Sequence, residues 1–336
     1  MAEKKVTRIV FILALFSLVY SRLVWGVSET KPVEQFFSPF DVPARVAPGW
    51  EQKPISYRAN DKGADLVVSL DQQLYPALKA LIQQWAKAHA LKVKVHSGTC
   101  GISAGLLAHK QADIGGYCCP PGRTDRLPGL QFHTVGISPL ALITHPDNPV
   151  NNLSLQEAKL IFQGEIYHWT ELPRNNVPGL SKRPVQPVTR LHCKARPGHW
   201  HLLLNDADQF SPDIIDVGAI PDMIRSVATN RSAIGYETVW HIKDNMKKGR
   251  VKILTIDHLD PADTNALLAG KYPLYRTFNI TSWNNKAASN PRAKELVRYL
   301  LQQADKLPPD FGMVSHSRLK AAGWRFHGDE LIGAPE

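Results

Sequence analysis

Three cysteines sit in two short glycine-rich stretches, HSGTCGISAG (residues 96–105) and ADIGGYCCPP (residues 112–121), and a fourth, Cys193, lies in RLHCKAR (residues 190–196). Small, hydroxyl-bearing loops that offer backbone N–H groups suit the capture of an anion. Thiols suit soft, thiophilic centres such as Cu(I), Zn(II) or trivalent arsenic. Cys100, Cys118, Cys119 and Cys193 are therefore candidate soft ligands, with His192 beside the last of them. In an exported protein the favoured reading of the same four cysteines is two disulfides, or one disulfide and two free thiols. A ring between the adjacent Cys118 and Cys119 is strained, which favours longer-range pairing. His192, His199 and His201 in HCKARPGHWH resemble metal-ligand spacing without the paired CxxC of a zinc site, and no CxxCH marks a haem. No cofactor is expected. Adjacent cysteines near Arg123 and Arg126 also raise a thiol-dependent redox enzyme, but CxxC and a base paired with a nucleophile are both lacking.

The elements that must position these loops read as alternating strands and helices. LVVSL after Ala64 predicts a short buried strand, and residues 75–90 carry helical apolar spacing. LKVKVHS predicts the next strand, ending at the SGTCG turn, followed by a helix over ISAGLLAHKQ, a third strand in DIGGY and a longer one in LQFHTVGISPLALITH. Such alternation predicts parallel strands joined by crossover helices. Further on, SLQEAKLIF and residues 223–228 predict helices, YPLYRTFNIT a strand, PRAKELVRYLLQQADKL an amphipathic helix, and the last residues a polar tail. Ligands of open α/β sheets sit at the carboxyl ends of strands, where SGTCG and the loop after DIGGY fall.

The chain has 336 residues, 43% hydrophobic and 21% charged, which suits a globular protein with room for two domains. Its +10 formal charge is dispersed; the short run Lys247-Lys248-Gly249-Arg250 lacks the aromatic interleaving of a nucleic-acid surface, so no nucleic-acid partner is expected. Lys4, Lys5 and Arg8 precede an apolar run from Ile9 to Tyr20, with small Gly26 soon after. This is the layout of a secretory signal over residues 1–26, too short in its apolar part to span a bilayer. The expectation is a periplasmic or otherwise exported protein that meets the membrane only through that signal. Residues 27–62, with Pro32, Pro39, Pro43, Pro48 and Pro54, predict an extended arm.

Over residues 64–320 several motifs follow one another: SGTCGI, ADIG, HPDNPVNNLSLQEAKLIFQGEIYHWTEL, Arg190, SAIGY (residues 232–236) and YPLYR (residues 272–276). In that order they resemble the periplasmic phosphate-binding protein family, whose members serve ABC transporters. The resemblance implies an α/β, two-lobed type II periplasmic-binding fold with mixed sheets and helices on both faces, closing by hinge motion on a small inorganic oxyanion. It implies lobe one at residues 63–142 and 245–336, and lobe two at residues 143–244. By motif it implies hydroxyl donors at Ser69, Ser97 and Thr99, with Gly98 in their turn, a cationic partner at Arg190, and a proton acceptor at Asp113. The family's pattern breaks at the cysteines. Cys118-Cys119 replace a Ser-Arg pair, Cys193 stands in an altered Ser-Gly-Thr loop, and Cys100 falls at a hydroxyl position. The resemblance implies phosphate or an analogue such as arsenate as ligand, while the cysteines by their own chemistry suit a thiophilic ion such as arsenite, copper or zinc. A permease or a sensor kinase is the implied partner.

Overall fold

A computed structural model describes residues 36–173, 183–191, 203–204 and 207–335. The expected signal segment, the first part of the arm, and Cys193 with His192, His199 and His201 lie outside the described residues.

The first α/β run forms as its apolar pattern predicts. LVVSLD is strand β1 (Leu66–Asp71), buried along its whole length as a strand covered on both faces should be. It pairs in parallel with β2 (Val93–Gly98) on one side and β3 (Ile114–Tyr117) on the other. Helix α1 (Tyr75–Ala88) starts with Pro76 in its first turn and buries Leu78, Ile82 and Trp85 as one stripe. Each such side chain contributes about 1.5–3 kcal/mol by leaving water. Helix α2 (Cys100–Ala108) opens at Thr99, whose Oγ1 accepts the N–H of Ile102 at 3.3 Å. The two glycines of β3 let these layers close: a Cβ on Gly115 would lie 2.4 Å from Leu107 Cδ1, and one on Gly116 2.6 Å from Leu70 Cδ2.

Strand β4 (Leu130–Thr144) follows, then α3 (Leu155–Gln163), held at its start by a reciprocal capping box between Ser154 and Glu157. Next come β5 (Gln186–Arg190), β6 (Ile215–Val217), α4 (Ile220–Thr229), β7 (Ala233–Thr238) and α5 (Val239–Asp244). β8 (Tyr275–Trp283) and α6 (Pro291–Gln303) complete the larger elements. One ten-stranded sheet runs β2-β1-β3-β8-β4-β7-β5-β6, with two short strands added onto β4. Its two ends are parallel blocks, β2-β1-β3 and β7-β5-β6, while the middle is antiparallel. β4 links the two, reaching the first block through β8 and pairing directly with the second. Its residues 130–139 pair with β8, and its residues 140–144 pair with β7.

The cores follow this division in part. Leu66, Leu78, Trp85, Ile114 and Leu296 belong to one apolar cluster, while Ala141, Val188, Met223 and Ala233 belong to another. A third brings Leu254, Tyr272 and Trp324 against Phe162 and Trp169.

Two stretches differ from their sequence reading. The C-terminal residues are folded rather than a polar tail: β9 (Val314–Ser315) pairs with β4, α7 (His316–Ala321) follows, and β10 (Arg325–His327) pairs with β11 (Glu330–Gly333). Trp324 and Leu331 are buried here, but their elements are too short to show a period. The arm is irregular as expected, yet docked. Trp50 donates from Nε1 to Ala108 O at 2.7 Å, and Lys110 Nζ lies 4.1 Å from the Trp50 ring and 4.0 Å from the Trp283 ring. Two aromatic faces thus stabilise a cation that burial pushes toward its neutral form.

Candidate functional site

Both parallel blocks turn their carboxyl ends toward the stretch where β4 passes from one to the other. From the first block come Asp71 at the end of β1, Cys100 at the start of α2, and Cys118 and Cys119 just after β3. From the second come Arg190 at the end of β5 and Glu237 at the end of β7. Arg276, fully buried in β8 opposite Ser138, stands between them.

The three sulfurs form a near-equilateral triangle. Cys100 Sγ is 3.5 Å from Cys118 Sγ and 3.9 Å from Cys119 Sγ, and the latter two are 3.9 Å apart. All three are free thiols, at most 3% exposed. Burial pushes the Cys100 thiol up, but the two neighbouring thiols donate to it, and Cys118 N–H adds a contact at 3.4 Å, bringing it down to about 5. Cys118 moves up because its proton is held in the bond to Cys100, and burial drives Cys119 well up. Arg276 Nη1 lies 3.7 Å from Cys118 Sγ. Asp71 abuts the same thiol, and burial, reinforced by Cys118, raises its carboxyl well above the usual range.

The opposing side is built from hard charges. Arg190 Nη1 donates to Glu237 Oε2 at 3.2 Å, and Glu237 Oε1 accepts from Gln73 Nε2 at 2.6 Å and from Thr238 N at 2.9 Å. Burial alone would raise the Glu237 carboxyl; Arg276 and then Arg190 outweigh it and hold it below its ordinary value. His241 on α5 is desolvated and falls to about 4, so it is neutral. Among the described residues Arg190 Nε and His241 Nε2 are buried without hydrogen-bond partners. A small cavity of about 10 Å³ adjoins this side, lined among others by Gln73, Ser138, Thr238 and His241.

The remaining candidates divide. Thr99 caps α2 next to Cys100, and Gly98 is pressed against Ile102, where a Cβ would meet its side chain at 3.0 Å. Ser69 is fully buried and bonded to Ser103 at 3.1 Å, one helical turn below Cys100, so it ties β1 to α2. Ser97 points to solvent from β2, the outermost strand. Asp113 lies at the opposite end of β3 from the thiols. It accepts from Tyr57 Oη at 2.6 Å, Val67 N at 2.8 Å and Asn290 Nδ2 at 3.1 Å. The structure thus does not bring Ser97 or Asp113 to the thiols: one faces outward, and the other has both carboxylate oxygens engaged in the frame. Nor does Arg126 stand by the cysteines, since it is bound to Glu330 and Ser38. Asp71, Gln73, Glu237 and Arg276 were not singled out from sequence. Their signal is a charged or amide residue adjoining a strand apolar enough to be buried on both faces.

A separate cavity of about 510 Å³, lined by Phe40, Arg126 and Glu330 among others, shares no lining residue with this site. His133 borders it and bonds Asp329 Oδ2 at 3.1 Å and Ser282 Oγ at 2.8 Å, the order of a hydrolytic triad. Ser282 is 2% exposed within β8, closed to substrate, so this relay braces the sheet.

The model of the PBP superfamily domain matches residues 56–304. A phosphate-binding protein PstS of Pseudomonas aeruginosa is 25% identical over 171 residues, 47% of this chain and 50% of that protein. PstS 2 of Streptococcus agalactiae is 21% identical over 122 residues, 35% of this chain and 41% of that one. The chain thus spans about half the length, or less, of these curated relatives. An ABC-type phosphate transport receptor from Vibrio cholerae superposes with a TM-score of 0.61 at 20% identity, covering 74% of this chain and 99% of that one. A phosphate ABC transporter substrate-binding protein from Clostridium perfringens, with bound phosphate, gives 0.63 at 18%, covering 74% and 98%. The mixed sheet with crossing central strands is the fold of these receptors, and by the extent of the family match the chain belongs to the PBP superfamily, with PstS-type proteins as its likeness.

Proposed function

We propose that this protein is an exported solute receptor that captures a small inorganic oxyacid where the two parallel blocks meet. Two lobes, divided where β4 crosses, close on the solute, and the loaded form is read by an ABC permease or a sensor kinase. The observation that carries the reading is the convergence of Arg190 and Glu237, at the strand ends of the second block, with Arg276 of central β8, Arg190 Nε being left without a partner among the described residues. Guanidinium forks and the N–H groups opening α2 supply donors to acid oxygens, and the Glu237 carboxylate accepts a proton that acid retains. Phosphate and arsenate are the oxyanions of the size such receptors enclose. A secretory signal over residues 1–26 supplies export and the protein's contact with the membrane.

A second reading is favoured by the three sulfurs, which offer soft ligands where hydroxyls would serve an oxyanion. Titration calorimetry of the reduced protein with phosphate, arsenate, arsenite and Zn(II), paired with small-angle scattering for lobe closure, tests both. Binding of at least one acid with a decrease in radius of gyration is expected, and Arg276→Ala should weaken it. Absence of binding by every solute sinks the receptor reading.

A further inference from the structure

The triangle of sulfurs is too small for a tetrahedral oxyanion and the right size for one atom. Its centre lies about 2.2 Å from each sulfur, so an atom held at an ordinary metal–thiolate length of about 2.3 Å sits just above the sulfur plane. That is a pyramidal, three-coordinate position. The three sulfurs reach it from two separate segments, the first turn of α2 and the loop after β3, and burial keeps water from a fourth place on the centre.

We propose that Cys100, Cys118 and Cys119 bind the trivalent thiophilic centre of a neutral trihydroxide, for which arsenite is the probe, as a tris-thiolate. This rests on the receptor reading above and names its solute. The exchange balances without any redox change: M(OH)3 and three thiols give M(SR)3 and three waters. Three M–S bonds form, three M–O bonds break, and each departing hydroxyl leaves as water with one proton. Where Cys100 is already a thiolate, that proton comes from solvent.

The charges around the triad favour this solute over a divalent cation. Arg276 lies 3.7 Å from Cys118 Sγ and Arg190, paired with Glu237, stands across the site, so a metal dication would enter against two guanidinium groups. A trihydroxide enters neutral and leaves a neutral complex, so no new charge is buried. The oxygen-binding side then has a role in the encounter. Arg190, Arg276 and Glu237 hold the hydroxyls of the incoming acid, and sulfur displaces them. Arsenate, with its central atom already pentavalent and oxygen-bound, takes part only in the first stage.

The test uses the full chain with thiols reduced. Native mass spectrometry with sodium arsenite should show one arsenic per chain, with the mass gain of arsenic less three hydrogens. X-ray absorption at the arsenic edge should show three sulfur neighbours and no oxygen. Cys118→Ser should lower arsenite affinity by about 100-fold or more. Should that variant fail to fold, the absorption spectrum of the unsubstituted protein still decides. An oxygen-only shell, or Zn(II) bound by the three sulfurs in a protein that ignores arsenite, overturns the proposal. Phosphate or arsenate binding with closure, and no arsenite binding, overturns it while leaving the receptor reading standing. Failure of all solutes overturns both.

Discussion

The two parallel blocks present the same geometry to the site and opposite chemistry. Each aims the carboxyl ends of its strands at the crossing of β4, and each is sheathed by helices that bury an apolar stripe. The first block delivers three sulfurs and a carboxyl group driven toward its neutral form. The second delivers a guanidinium and a carboxylate paired at 3.2 Å. Strand direction decides where a ligand sits. The residues at each strand end set which donors are on offer, and here one block offers sulfurs and the other a guanidinium and a carboxylate.

Blocks built from such different donors should fail differently. The largest effect is expected on the hard side. Glu237 balances two buried guanidinium groups, so Glu237→Leu leaves both uncompensated and should cost about 3–5 kcal/mol of stability in urea denaturation. Serine at Cys118 or Cys119 should spare stability by comparison and change ligand preference. Equal losses on both sides would end the distinction.

The next effect concerns pH. His241 packs against the same charges, and its native value of about 4 lies below that of the unfolded chain, near 6.5. Between those values the unfolded chain takes up a proton that the native protein refuses, so stability falls as pH drops from about 6.5 to 4 and then levels. The loss should approach about 3 kcal/mol at its end. His241→Asn should flatten that part of the curve measured by thermal denaturation; an unchanged slope would show that the hard side does not desolvate its neighbours.

Much of this arrangement was legible in the sequence, and what was missed has physical reasons. β1, β3, β4 and β8 announce themselves as apolar, β-branched or aromatic runs, and the glycines of ADIGGY mark the close passage beneath α2. The cysteines stood out because thiols are rare here and share loops with glycine. Asp71, Glu237 and Arg276 did not, since a charge near the end of an apolar strand looks the same whether it meets solvent or a partner brought in from a distant segment. Asp113 was misplaced for a directional reason. It opens β3, whereas ligands gather where β3 ends, and it braces Tyr57 and Asn290 instead. Asp113→Ala should therefore cost about 1–3 kcal/mol while leaving solute affinity intact. A loss of affinity at unchanged stability would return Asp113 to the site.

The smallest effect lies at Thr99, where the two kinds of argument meet. Its Oγ1 accepts the Ile102 N–H and fixes the first turn of α2, from which Cys100 reaches the other thiols. Removing a cap of this kind costs about 1 kcal/mol. Thr99→Ala should show that cost and a further weakening of arsenite binding, because a frayed first turn lets Cys100 leave the triangle. Thr99→Ser keeps the capping oxygen and should restore both. Restoration of stability without restoration of binding would mean that the methyl group, half-buried beside Gly98, positions the thiol rather than the cap, and would move the specificity of the soft side from helix geometry to packing.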